Sequence, residues 1–386
     1  MKIAVISHLY PNRSHPASGT FIRSYFLGLS KLFDSEMVVP TVRAIPFTKK
    51  WSYTHSPFIT EGEAVRLRYL SFPGGRFPHL VTRTISHAVT AYLKHQKPDL
   101  VHVHWLYPDG LAIPAIRKSL DVPVVLSIHG SDWYNTRNRP KLRELLERSL
   151  FAADKILTVG TRLKKDIQHA LPELEERLMV TYNPIDFGMF APAESRESAM
   201  RSMNWDPTKK HLLCVANISH EKGVDVLLDA MEMLQMENLL LHIIGNVPDS
   251  PYSRSIISRI SRSDHILLHP PASHDTIPDY FKACDLLVMP SRREGFGIAA
   301  AEAIACGKPV IATKSGGPED ILTKDNGLLV DVDSPGQIAD AVRQILAGRT
   351  GLQQETIRSS IKKKFDSEKI IHDIGRMYES TIHSGV

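Results

Sequence analysis

Two carboxylates, Glu294 and Glu302, stand eight positions apart in Glu294-Gly-Phe-Gly-Ile-Ala-Ala-Ala-Glu302. Carboxylates accept hydrogen bonds from hydroxyls, so a pair set across a glycine-rich turn suits a polyhydroxylated ligand. An apolar run, residues 285–290, precedes the pair and reads as a buried strand; an Ala-rich stretch, residues 298–306, follows and reads as a helix. Glu294 then falls in the strand-to-helix loop and Glu302 about two turns into the helix, at a rise of ~1.5 Å per residue. Between them, the free N–H groups of the helix start suit an anion. A phosphate there, with a sugar hydroxyl at each carboxylate, describes a nucleotide-sugar. Residues 298–305 are nearly all apolar or small, so Glu302 sits on a largely buried helix, where a carboxylate is rarely unpaired.

Other candidates lie at the ends of expected strands. Asn217 and Lys222, in Ala216-Asn-Ile-Ser-His-Glu-Lys-Gly223, follow the first strand of the second half, and Lys222 could neutralise a phosphate. Gly19, just before a helix starting near Phe21, lets backbone N–H groups approach a diphosphate. His129 in His129-Gly-Ser-Asp132 ends a strand and faces the cleft expected there; the plainer alternative is a turn histidine with Asp132 as a helix cap. His102 and His104 share one strand face, but with no third ligand evident they read as core or cleft-wall histidines and not a metal pair. A basic and aromatic stretch from Arg43 to Phe77 holds Phe47, Lys49, Lys50, Trp51, Tyr53, Arg66, Arg68 and Arg76. Such a mixture suits a membrane- or acceptor-facing surface, although residues 65–70 read as a strand.

The elements that must position these groups alternate strand and helix. In the first half, strands are expected at 2–7, 35–40, 65–70, 100–104, 122–128, 155–159 and 178–182, with helices around 21–31, 79–95, 110–118, 140–152 and 160–169. After a break at Asn183-Pro-Ile-Asp-Phe and the polar residues 191–210, strands are expected at 211–216, 239–245, 265–269, 285–289, 309–313 and 327–330. Helices there are expected around 223–234, 252–261, 276–283, 298–306, 317–322 and 334–347, and the tail, 365–383, reads as one or two more. Strands with little alternation, separated by helices, mean parallel sheets covered on both faces, with ligands at the strand C-terminal ends.

A chain of 386 residues exceeds one ordinary core, so two domains are expected. A hydrophobic content of 42% with 23% charged residues is that of a soluble globular protein, and no apolar run nears the ~20 residues of a membrane span. The amino end reads as a first strand and not as a signal peptide. Cys214, Cys284 and Cys306 all stand in apolar contexts, as small core residues in a reducing compartment. Charge is unevenly spread: residues 1–190 hold 25 Lys+Arg against 16 Asp+Glu, and the remainder 22 against 26. The basic half points to an anionic neighbour, such as a membrane surface or a phosphorylated lipid.

Taken together these residues resemble the retaining glycosyltransferases of the GT-B fold, family 4 type, over essentially the whole chain. The most specific part is Pro290-Ser-Arg-Arg-Glu294 through Glu302 to Thr313, which matches the family's E-x7-E signature with its flanks. His129-Gly-Ser-Asp, Asn183-Pro-Ile-Asp, Glu221-Lys-Gly and Gly316-Gly-Pro-Glu319 support it. The opening, Tyr10-Pro to Ser18-Gly-Thr-Phe, resembles the subgroup active in bacterial cell-wall and surface polysaccharide assembly. The resemblance implies an α/β fold of two Rossmann-like parallel-sheet domains with a cleft between them. Residues 1–190 and a C-terminal helix, 367–386, would form the acceptor side, and 191–366 the donor-binding domain.

By the same resemblance Glu294 contacts hydroxyls of the donor sugar, and Phe296, Gly297 and Ile298 present backbone N–H groups to sugar and phosphate. Glu302 holds the ribose, Lys222 the diphosphate, Gly19 lines the phosphate approach and His129 sits beside the sugar. The family commonly has Arg where Asn217 stands, and Asn supplies no fixed charge, so more falls on Lys222 and backbone dipoles. The expected reaction moves a sugar from a nucleotide diphosphate, with UDP the default, to a glycan or polyprenyl-phosphate-linked acceptor. It proceeds with retention and without metal or cofactor. A cytoplasmic enzyme with peripheral contact at the inner face of the plasma membrane is implied, and nucleic acid is not among its partners. A nucleotide-sugar epimerase of the same two-domain shape is the nearest alternative. An NAD-dependent oxidoreductase is disfavoured because residues 291–294 separate the Gly295–Ala300 glycine pattern from its strand. A catalytically dead sugar-polymer binding module is disfavoured by intact Glu294, Glu302 and Lys222.

Overall fold

The computed structural model describes residues 1–12, 18–43, 58–71 and 77–384. The chain divides into two compact units, residues 1–182 with 368–386, and residues 183–367. In unit 1 the strands are β1 (Lys2–Ile6), β2 (Asp34–Arg43), β3 (Phe58–Glu61), β4 (Ala64–Leu70), β5 (Leu100–His104), β6 (Val124–Ile128), β7 (Lys155–Thr158) and β8 (Leu178–Val180). They form one sheet in the order β3-β4-β2-β1-β5-β6-β7-β8, parallel except for β3. In unit 2, β9 (Lys210–Val215), β10 (Leu239–Ile244), β11 (Ile266–His269), β12 (Leu286–Met289), β13 (Val310–Thr313) and β14 (Gly327–Val330) form a parallel sheet in the order β11-β10-β9-β12-β13-β14.

Helices cover both faces of these sheets, and this is why central strands such as β5 and β6 are buried at every position. In unit 2, β9 reverses the strand order: β10 and β11 lie to one side of it, β12 to β14 to the other. Ligands of open α/β sheets bind at such a switch point, outside the strand C-terminal ends, and both the β9 and β12 loops open there. Among the described residues no helix is long and apolar enough to cross a membrane.

Several local expectations are corrected. Edge strand β3 was not anticipated; it pairs antiparallel with β4 through the two-residue turn Gly62–Glu63, with Gly62 at φ 61°. The polar residues 191–210 contain the helix Arg196–Ser202, capped by Ser195, whose Oγ accepts from Ser198 N–H. The helix expected at 317–322 is only a 3-10 turn, Pro318–Asp320, and Gln354–Phe365 is an unanticipated helix. The boundary lies at 182/183 and not at 190/191, because residues 183–190 pack with unit 2. Ile185 pairs with Asp366, and Arg358 donates to the carbonyls of Phe187 and Phe190, each at 2.7 Å. The tail is the single helix Ser367–Ser384, which buries Ile370, Ile371, Ile374 and Tyr378 in the core of unit 1.

Candidate active site

In unit 2 the side chains of Lys222 and Glu294 meet, with Nζ 2.6 Å from Oε2. Lys222 ends the 3-10 turn His220–Lys222 after β9, and Glu294 lies in the loop after β12. The two loops come together because Gly223 sits between them at φ 62°; a Cβ there would lie 2.1 Å from the Pro290 carbonyl oxygen. Glu294 is held from a third side. Its N–H donates to Ser315 O at 3.0 Å and its carbonyl accepts from Gly317 N–H at 2.9 Å. Glu319 fixes that partner loop, accepting from Gly316 N–H at 2.9 Å.

Arg292, two residues before Glu294, was not singled out from the sequence. Its guanidinium donates to both oxygens of Asp225, to Asp333 Oδ1 at 2.6 Å and to His220 O at 2.8 Å. Burial pushes the Asp225 carboxyl up, but hydrogen bonds from Arg292 and Tyr252 outweigh this and hold it at about 2. The network joins the loops after β9, β12 and β14 behind the Lys222–Glu294 pair.

Gly297, at φ 96°, opens the helix Ile298–Ala305. The N–H groups of Ala300 and Ala301 donate back to the Gly297 carbonyl, so the N–H groups of Ile298 and Ala299 precede the first intrahelical donor. Phe296 is anchored: its ring is buried and lies edge-on to Phe365 at 5.5 Å. Glu302 lies just over one turn into this helix, not two, with 8% of its surface exposed. Burial alone pushes its carboxyl up to about 8. A buried acid with no protein partner among the described residues is costly unless a ligand meets it.

Asn217 is occupied within the protein: its Oδ1 accepts from Asn246 N–H and Nδ2, each at 3.1 Å, and so pins the loop after β10 to that after β9. Its role in the structure is loop pinning.

Unit 1 carries Gly19, His129, His102 and His104. Gly19 is the left-handed residue before the helix Thr20–Ser30 and packs on the Leu9 carbonyl. His129 follows β6; its Nε2 lies 3.1 Å from Nδ1 of His104, its ring 4.4 Å from Trp105, and its buried Nδ1 has no partner among the described residues. Burial, with His104 and His8 nearby, lowers its pKa, so the ring is neutral. Asp132 does not cap the following helix from outside. It lies within Ser131–Tyr134 and accepts from His129 N–H at 3.0 Å and Leu106 N–H at 2.7 Å, tying the β5 and β6 loops together. His102 is core, bonded to Ser127 Oγ at 2.8 Å and to the Tyr25 and Tyr378 hydroxyls. Among the described residues no group of three or more His, Cys, Asp or Glu is placed to hold a metal ion. A further pair, His8 and Asp109, also escaped the sequence reading, because a lone loop histidine carries no periodic signal.

A cation paired with a carboxylate beside a helix N-terminus, with a buried acid one turn further on, can bind phosphate and hydroxyl groups together. Two family models match the chain: "Glycosyl transferases group 1" over residues 195–363 and "Glycosyltransferase Family 4" over residues 46–188. The chain is 28% identical to the uncharacterized glycosyltransferase MJ1178 of Methanocaldococcus jannaschii, over 78% of this chain and 83% of that protein. It is 26% identical to the putative teichuronic acid biosynthesis glycosyltransferase TuaC of Bacillus subtilis, over 100% of both. The structure of Anabaena Alr3699/HepE in complex with UDP-glucose superposes with a TM-score of 0.79 at 17% identity, covering 98% of this chain and 100% of that one. The chain therefore belongs to the GT-B glycosyltransferases of the family 4 type.

Proposed function

We propose that the protein transfers a sugar from a nucleotide diphosphate, with UDP as the base carrier, to a lipid-linked or glycan acceptor with retention at the anomeric carbon. The observation that carries this reading is the Lys222–Glu294 pair at 2.6 Å, set beside the Gly297–Ile298 helix start and the buried Glu302. Lys222 and the helix N–H groups offset the charge of the departing diphosphate, Glu294 takes sugar hydroxyls, and Glu302 takes the ribose. These groups serve without a metal. For unit 1, the same reading assigns roles in the reaction to His129 and Gly19. Asn217 contributes by shaping the donor loop. The departing diphosphate oxygen helps to draw off the acceptor proton in a front-side displacement.

The role in surface polysaccharide or cell-wall assembly rests on the likeness to TuaC, whose name places that protein in teichuronic acid biosynthesis. Residues 37–98 hold nine Lys or Arg against Glu61 and Glu63, and Val42, Leu70, Phe77 and Leu80 are exposed in this part of unit 1. A basic surface with apolar side chains suits peripheral contact with an anionic membrane from the cytoplasm. Residues 44–57 and 72–76 of the basic and aromatic stretch lie outside the described residues.

An epimerase is not favoured, since the matched families are transferases. The deciding experiment is thermal stabilisation by UDP, GDP, ADP and CMP, in the native chain and in Glu294→Ala and Lys222→Gln. Saturation at a hundred times Kd adds about 2.7 kcal/mol. Glu294→Ala abolishes transfer with the fold intact, and near-normal turnover in that variant would refute the assignment.

A further inference from the structure

A cavity of about 250 Å³ lies in unit 1, where the helix Pro140–Ala152 meets the end of the helix Thr161–Ala170. Leu146, Leu150 and Leu171 form its apolar wall, and Arg137, Asn138 and Glu147 its polar one. Trp133 lines it as well. Only 4% of this residue is exposed, and its buried Nε1–H has no hydrogen-bond partner among the described residues. A buried donor left unmatched is unfavourable, and the chain supplies this one with no acceptor.

The charge of the cavity is equally specific. Arg143 on its rim is neutralised by Glu147, at 2.8 Å. Arg137 is exposed and has no carboxylate partner among the described residues; its guanidinium carbon stands 5.8 Å from the centre of the Trp133 ring. The lining groups therefore carry one uncompensated positive charge. The approach is positive too, since Arg137-Asn-Arg-Pro-Lys-Leu-Arg143 holds four cations and no acid. The helix Pro140–Ala152 begins within this run with no side-chain cap and no acid in its first turn. Cations thus stand at the positive end of its dipole, a repulsion that a bound anion relieves.

We propose that this cavity binds an acidic sugar residue of the acceptor glycan, an inference that rests on the glycosyl-transfer reading above and gives the acceptor its chemical class. The volume lies below the ~300–1,000 Å³ of sites for drug-sized ligands, so it takes one pyranose ring and not a nucleotide or a lipid chain. The C–H face of the ring packs on the leucines, and its carboxylate takes the fork of Arg137. Its hydroxyls meet Asn138 and Glu147, and one oxygen accepts from Trp133 Nε1. A bare phosphate uses the charge and leaves the leucine wall unused. Further acidic residues of the glycan pass over Arg139 and Lys141. Every group named belongs to unit 1, so the site is complete within that unit. A merely solvated basic helix start would instead bind any polyanion, each cation contributing alike.

Titration calorimetry on the full chain separates these cases, with a galacturonic acid tetramer, a neutral galactose tetramer, inorganic phosphate and anionic phospholipid vesicles as probes. The acidic tetramer should bind at least about 10-fold more tightly than the neutral one, and Arg137→Gln should remove about that factor. Arg137→Lys, which keeps the charge and loses the fork, should recover only part. Lys141→Gln, outside the cavity, should weaken binding only about two- to threefold. The acidic tetramer should change the tryptophan emission of the native chain and not that of Trp133→Phe, and thermal unfolding confirms that each variant is folded. Equal binding of the two tetramers, equal losses in Arg137→Gln and Lys141→Gln, or displacement of the tetramer by equimolar phosphate overturns the proposal. So do vesicles bound through Arg137 when the tetramer is not. If the tetramer binds through Arg137 and no nucleotide-sugar reacts with the chain, the transfer reading fails and the site stands. If UDP stabilises the chain and the acidic tetramer does not bind, the site fails and the transfer reading stands.

Discussion

Arg292 and Asp225 form a two-pronged ion pair, at 2.9 and 2.7 Å, between the loop that carries Glu294 and the helix that begins just after Lys222. Neither side chain reaches the Lys222–Glu294 contact, yet both hold the loops from which it is made. Arg292→Gln leaves Asp225 without its fork and should cost about 1–3 kcal/mol of stability. It should also lower turnover roughly 10- to 100-fold through misplacement of Glu294. Arg292→Lys keeps one charge but not the fork and falls between. Asp225 is held at about 2, so its contribution is present above its unfolded value near 3.8 and is lost as pH falls through about 2. Unfolding curves and kcat measured together check this. A variant that loses stability with kcat untouched would remove the positioning role.

Glu302 offers a test of the donor site without an acceptor. Its carboxyl is pushed up to about 8 by burial, so at neutral pH the empty site holds it protonated. A ribose whose hydroxyls donate to the carboxylate needs the charged form, so UDP affinity should rise with pH and level off above about 8. Stability runs the other way: the folded state keeps the proton that the unfolded chain releases near 4.5. Stability should therefore fall between about 4.5 and 8, by on the order of 1–4 kcal/mol. Glu302→Gln should flatten both trends while binding UDP weakly at every pH. Titration calorimetry across pH 6 to 9 gives the answer; UDP affinity that ignores pH in the native chain refutes the ribose role.

What could be read beforehand followed from local regularities. Continuous apolar runs such as those of β1 and β12 announce strands buried on both faces, and a glycine-rich turn into residues 298–305 announces a helix start. Glu302 stood out because a charge in an Ala-rich helix has few ways to be satisfied. Arg292 did not, because its partners Asp225 and Asp333 lie 67 and 41 residues away and only the folded sheet gathers them. The bond from Asn246 to Asn217 Oδ1 was hidden for a related reason, since its partner lies 29 residues away on the next strand's loop. The same holds for His8, whose partner Asp109 is 101 residues distant. Side chains that work through long-range pairing leave no spacing to read.

The basic stretch of the first half predicts a split between lipid and soluble substrates. Lys49, Lys50 and Arg68 lie in the stretch of residues 37–98 where Lys and Arg far outnumber acids. Removing the three charges should weaken binding to anionic phospholipid vesicles by about 1 kcal/mol per charge, with the effect shrinking at high salt. Turnover with a water-soluble acceptor should be unchanged. Equal losses on vesicles and on soluble acceptor would refute the surface role.

Unit 2 contains a row of three histidines with a defined direction of hydrogen bonding. His211 Nε2 donates to the Asp206 carbonyl at 2.8 Å, so its Nδ1 accepts from His242 Nε2 at 2.9 Å, and His242 Nδ1 in turn accepts from His269 Nε2 at 2.9 Å. Trp205 stacks on His242 at 3.7 Å and closes one face. Burial and the two neighbouring imidazoles lower His242 to about 3. A group whose charged form is excluded from the fold stabilises it above its unfolded value near 6.5, and that contribution is lost as pH falls from there toward 3. The native chain should therefore lose stability steeply below pH 6.5, and His242→Gln, less stable at pH 8, should lose less over the same range. Thermal unfolding at pH 8, 6 and 5, with Trp205→Phe used to assign the fluorescence of that stacked ring, measures the difference. Parallel loss in both proteins would place the acid-labile group elsewhere.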